Sequence, residues 1–131
     1  MFPGKNRENR MVEIKWPVSA LTSNRTVIGE TTNIGKAGAY IRCSEPLRLN
    51  ETFDINIYVP NSDRLLKAEA EVVWSNMYGP DDKATPRGMG VRFTNIAKED
   101  QDFIAELLYE HSLENVATRY LQTLEVELGE N

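Results

Sequence analysis

The sequence predicts a mainly β fold, a six-stranded antiparallel β-barrel followed by one or two C-terminal α-helices. Three observations carry this expectation. Apolar and polar residues alternate in six short runs. Clusters of Gly, Pro, Asn, Asp and Ser separate those runs. Beyond Asn95 the apolar period lengthens from two to about 3.6 residues. Six short strands with this punctuation favour a closed or nearly closed sheet, because closure removes exposed edges.

Residues 1–10 are polar and include Pro3 and Gly4, so they read as a loop or mobile arm. The first strand starts at Val12. It sets Val12, Ile14, Trp16, Val18 and Ala20 on one face and Glu13, Lys15 and Ser19 on the other. Pro17 has the polar parity and no N–H, which places an edge or a bulge there. A second strand covers residues 26–32, interrupted at Gly29. Residues 33–38 form a turn that holds Gly35 and Gly38, and residues 39–43 form a third strand. The fourth strand, residues 52–59, puts Phe53, Ile55, Ile57 and Val59 on one parity. The fifth, residues 66–74, sets Leu66, Ala68, Ala70, Val72 and Trp74 against Lys67, Glu69 and Glu71. Residues 75–87 hold Gly79, Pro80, Asp81, Asp82 and Pro86 and read as a loop. Residues 89–93 are the sixth strand.

Asn95 suits a helix cap, and Glu99, Asp100 and Asp102 suit the first turns. Phe103, Ile104, Leu107, Leu108 and His111 share one helical face, which would close the barrel. Leu113, Val116, Tyr120, Leu121, Leu124 and Leu128 form a second stripe, centred well over about 100° away. Either the helix breaks near His111 and Ser112, with Ser112 capping a second helix, or one long helix faces two partners. The second stripe can meet a second chain, a possible homodimer through residues 113–128, or pack back on its own domain. The chain divides accordingly into a flexible basic arm at 1–11, a barrel with closing helix at 12–111, and an acidic amphipathic helix at 112–131.

The chain has 131 residues, one domain's worth, and carries a net charge of −5. That sign argues against DNA or RNA as a partner. Charge is uneven. Residues 1–25 hold five basic and two acidic side chains, while residues 97–131 hold two basic and nine acidic ones. A basic arm on an acidic protein suits a small anion better than a long polyanion. No apolar run approaches the roughly 18–20 residues of a membrane helix, so no membrane partner is expected. The N-terminus lacks a signal-peptide stretch, and Cys43 has no partner cysteine, which together point to the cytoplasm.

No catalytic constellation is expected. His111 is the single histidine and keeps helical register with Leu107 and Leu108, as a packed or interface residue does. Cys43 sits in a strand, where a buried inert thiol is the default. No metal-ligand spacing is present. Trp16, Tyr40, Tyr58 and Trp74 are able to stack nucleobases, but core placement is favoured for them and the net charge has the wrong sign for nucleic acid.

The combination of elements is more specific than its parts. A basic arm precedes the run Val12-Glu13-Ile14-Lys15-Trp16-Pro17-Val18. Thr32-Asn33-Ile34 leads into the glycine turn. Val72-Val73-Trp74-Ser75 precedes Gly88-Met89-Gly90-Val91-Arg92-Phe93, and a helix follows. From about residue 7 to residue 108 this resembles the PilZ family, bacterial domains that bind the second messenger cyclic di-GMP. The resemblance implies a PilZ-type barrel acting as a non-catalytic regulatory module, in motility or biofilm control, with cyclic di-GMP as ligand, no cofactor or metal, and a protein effector of unknown identity.

The family's ligand motif joins Arg-x-x-x-Arg on the arm to Asp/Asn-x-Ser-x-x-Gly on the barrel. Here the arm reads Arg7-Glu8-Asn9-Arg10, one residue short, and Gly35 stands where the serine belongs, while Asn33 and Gly38 match. The resemblance therefore implies ligand-binding roles for Arg7, Arg10, Asn33 and Gly38, and for Gly35 through its backbone. The chemistry is consistent. Arginine forks match phosphates and the O6/N7 edge of guanine, and glycines let backbone approach a ligand. The alternative is an adaptor that keeps the scaffold and acts by protein–protein interaction without a ligand.

Overall fold

The computed structural model describes residues 10–128. Its elements are β1 (Met11–Glu13), β2 (Pro17–Leu21), β3 (Thr26–Gly35), β4 (Gly38–Arg42), β5 (Thr52–Tyr58), β6 (Leu65–Asn76), β7 (Gly88–Ile96) and α1 (Lys98–Leu128). The strands follow the order β1-β3-β2-β5-β6-β7-β4, and β4 pairs back on β3. Strands β2 to β7 thus form a closed six-stranded antiparallel barrel, as predicted, with β1 as an extra strand. β3 is long enough to serve both β2, along residues 26–30, and β1, along residues 33–35.

The predicted first strand is divided in two. Thr31 explains the division. Its buried hydroxyl donates to the Ile14 carbonyl at 2.6 Å and accepts from the Trp16 N–H at 2.9 Å. A side chain therefore satisfies backbone groups that a continuous ladder would have paired. Pro17 then opens β2 as its first residue, a position that needs no ladder N–H. β3 runs through Gly29 without interruption, and it also runs through Asn33 to Gly35. The expected six-residue turn shrinks to Lys36 and Ala37.

Inward-facing Val18, Ile34, Ile41, Ile55, Val72 and Val91 fill the barrel. α1 closes it beside β1 and β3 with Ile104 and Leu108 buried in the same core. Phe103 lies 6.3 Å from the Trp16 ring, and Arg64 stacks on Phe103 at 4.4 Å while pairing with Asp100 at 3.0 Å.

Asn95 does not cap the helix. It stays in β7, where its amide donates to Glu69 at 3.1 Å, and the first turn closes on the Ala97 carbonyl instead. Nor does α1 break near His111 and Ser112. It is one helix of 31 residues, with no glycine or proline inside to stop it. At about 1.5 Å per residue it is roughly 46 Å long, and among the described side chains beyond Ser112 all but Leu124 are exposed.

Candidate ligand-binding site

Two β-bulges set the geometry of the barrel's outer face. In β3 the register with β4 shifts between Thr31 and Asn33, so Thr32 is the extra residue. In β6 the register with β7 shifts between Val72 and Trp74, so Val73 is the extra residue. One extra residue reverses the parity of all that follows. Before the bulges Thr31 and Val72 point inward. After them Asn33 pairs with Tyr40, and Trp74 pairs with Gly90, both on outward positions.

The pairings align one row across four strands: Asn33 on β3, Tyr40 on β4, Gly90 on β7 and Trp74 on β6. Tyr40 and Trp74 stand on strands two spacings apart, roughly 9–10 Å, yet their ring centroids are 5.4 Å apart, tilted at 47°. They lean together over Gly90, which has no side chain to separate them.

This row floors an open cavity of about 720 Å³. Its walls are Glu13, Ile14 and Lys15 on one side and residues 83–86 on the other, with Thr32, Asn33, Tyr40 and Trp74 beneath. The size falls within the usual range for small-molecule sites. Asn76 holds the loop wall in place. Its buried amide donates to the carbonyls of Pro80, Thr85 and Pro86 at 2.9–3.2 Å, and its oxygen accepts from the Gly79 N–H. The Tyr40 hydroxyl donates to the Pro86 carbonyl at 2.9 Å. Burial, helped by the nearby Cys43 and Asp81, pushes the Tyr40 phenol up to about 12. It stays protonated at neutral pH. The Cys43 thiol is buried and pushed up to about 11, chiefly by that burial, so it is not a thiolate nucleophile.

The predicted site residues do not all meet here. Asn33 lines the cavity, and its side-chain oxygen accepts from the Thr32 hydroxyl at 2.8 Å. Arg10 begins beside Gly35, but its guanidinium turns to α1. There it donates to the Leu108 carbonyl at 3.0 Å and to the Ser112 hydroxyl. Arg7 lies outside the described residues. Gly35 and Gly38 are buried. Neither has a positive φ, and both serve close backbone approach: a Cβ at Gly38 would overlap the Val91 carbonyl, and one at Gly35 would overlap the Arg10 carbonyl. The sequence assigns Tyr40 and Trp74 to the core although both are able to stack bases, and nothing local ties residue 83 to the barrel.

Gly35 stands where the resembling motif has serine, and the Arg10 carbonyl occupies the space a side chain would need. Gly35→Ser should therefore destabilise the fold by about 1–3 kcal/mol, through overpacking against β1. Urea denaturation tests this. Unchanged stability would mean that β1 yields at no cost.

The result is a small closed barrel, plugged at one side by a helix and bearing an aromatic-floored cavity on its outer wall. The chain belongs to the PilZ domain family, whose model matches residues 5–110. No curated protein matches it. Among solved structures it is similar to the Bacillus subtilis inhibitor of motility MotI/DgrA, with a TM-score of 0.66, 19% identity, and coverage of 79% of this chain and 49% of that one. It is also similar to Escherichia coli YcgR in complex with c-di-GMP, with a TM-score of 0.63, 14% identity, and coverage of 92% and 50%. The chain spans about half the length of each. At these identities the likeness shows the fold.

Proposed function

We propose that this domain is a non-catalytic regulatory receptor for cyclic di-GMP, and that the dinucleotide lies along the Asn33–Tyr40–Trp74 row. The observation that carries this reading is the double bulge, which turns an amide and a tryptophan outward on either side of Tyr40. Bulges of this kind re-aim side chains at functional sites. The half-buried aromatic pair offers a π face for a guanine, and the Asn33 amide offers a donor and an acceptor to a base edge. Lys15 and Lys83 outnumber Glu13 around the cavity, which suits phosphates. Arg7 and Arg10 add guanidinium forks from the arm once Arg10 leaves α1. Gly35 omits one hydroxyl hydrogen bond, worth about 1 kcal/mol or roughly fivefold in affinity.

Calorimetric titration with cyclic di-GMP tests the proposal. Saturable heat is expected, and Arg7→Ala combined with Arg10→Ala should remove most of it. No heat at tens of micromolar protein would sink the idea.

The exposed apolar stripe on distal α1 favours a second reading, an adaptor that works through a protein effector without ligand. Silence in the titration, with partner capture lost on deleting residues 113–131, would establish that reading instead. A cytoplasmic setting and control of motility fit both. Among the described residues no helix is long and apolar enough to cross a membrane.

A further inference from the structure

We propose that two copies of this chain pair through the outer face of α1, along a seam formed by Tyr109, Leu113, Val116 and Tyr120. The inference is independent of the dinucleotide. These four residues are spaced by four, three and four, the alternation of a two-helix coiled-coil seam. All four are exposed in the single chain, at 63%, 50%, 63% and 64%.

The barrel does not compete for this face. At about 100° per residue, the seam is centred roughly 130° round the helix from Ile104 and Leu108, the residues that plug the barrel. Two helices meeting at the seam would carry their barrels on the outside of the pair. The seam's flanks suit close approach. Ala105, Ser112, Ala117 and Leu124 occupy the adjoining positions, with Glu106 and Glu110 the acidic exceptions. Both carboxylates lie at the barrel-proximal end, and from Leu113 onward the positions flanking the seam carry none. The matched family region ends at residue 110, so most of this seam is an addition to the family's domain.

Energetics point the same way. Among the described side chains beyond Ser112 all but Leu124 are exposed, and an isolated helix of that length is marginal in water. A partner helix supplies the missing packing. The two tyrosines, the leucine, the valine and their apolar neighbours offer on the order of 400–500 Å² per copy. A pair would bury about 800–1,000 Å², below the range of stable interfaces and within that of weak, transient ones. The association is therefore expected to be concentration-dependent rather than permanent.

Sedimentation equilibrium of the full chain from a few to several hundred micromolar tests this. The mass should rise toward twice the monomer value, with helical ellipticity rising alongside it. The double variant Leu113→Glu with Tyr120→Glu, both on the exposed face, should remain monomeric while the barrel's thermal transition persists. A wild-type chain that stays monomeric throughout overturns the proposal. So does a dimer that the double variant leaves intact, and so does a monomer whose seam takes up only a different protein's helix.

Discussion

Ile104→Ala should lower the unfolding free energy by about 2–5 kcal/mol, with a fall in Tm on the order of 10–20 °C. Ile104 is wholly buried, although it belongs to a helix that is exposed for most of its length. Alanine is the best helix former, so the substitution leaves α1 intact as a helix and removes only its plug. The cavity would open between α1 and the barrel, in the core cluster that Ile104 shares with Leu108. Monomeric Leu113→Ala is the matched control. It lies on the same helix outside the barrel and should change Tm little, since surface changes fall within about 0.5 kcal/mol. Chemical denaturation of both variants measures the contrast. An Ile104→Ala loss below about 1 kcal/mol would mean that α1 does not close the core.

The barrel was legible because its strands obey alternation for most of their length. Phe53, Ile55 and Ile57 are buried on one parity of β5, and Leu66, Ala70 and Val72 are buried on one parity of β6. The closing face of α1 was legible for the same reason, since Ile104 and Leu108 sit where the helical wheel puts them. The site was not legible, because it is made where alternation fails. Val73 and Thr32 carry no mark that they are bulged. A tryptophan two residues after Val72 reads as core until the extra residue turns it outward. Asn33 was recognised from the family's motif, yet it was expected in a turn and lies in a strand.

The glycines show the same limit. Gly35 and Gly38 are visible as glycines, but their reason is a neighbouring backbone far away in sequence, Arg10 for one and Val91 for the other. No local pattern reports such a neighbour. The loop wall is equally non-local. Asn76 gathers three carbonyls from residues 80, 85 and 86, which brings Lys83 to the cavity although nothing around position 83 suggests a site. The motif arginine adds a further point. Its distance along the chain was readable, but its present partners, Leu108 and Ser112, are 98 and 102 residues away.

Trp74→Ala should weaken binding of the proposed dinucleotide by about 1–3 kcal/mol, or roughly 5- to 150-fold, if the aromatic pair is the base platform. Trp74 is half-buried on the outer face rather than inside the barrel, so its removal should spare the core and leave a single cooperative unfolding transition. Trp74→Phe keeps a π face and should recover most of the affinity. Tyr40→Phe should cost less than either loss of a ring, because the Tyr40 hydroxyl is already committed to the Pro86 carbonyl. The phenol's upward shift to about 12 also keeps the platform neutral, so deprotonation of Tyr40 should impose no pH dependence on binding between pH 6 and 9. Fluorescence separates the two tryptophans. Trp16 is buried against Phe103 and should not respond, whereas Trp74 emission should change on saturation. If Trp74→Ala binds as tightly as the parent chain, the dinucleotide does not use this row, and the outward turn made by the Val73 bulge must serve another contact.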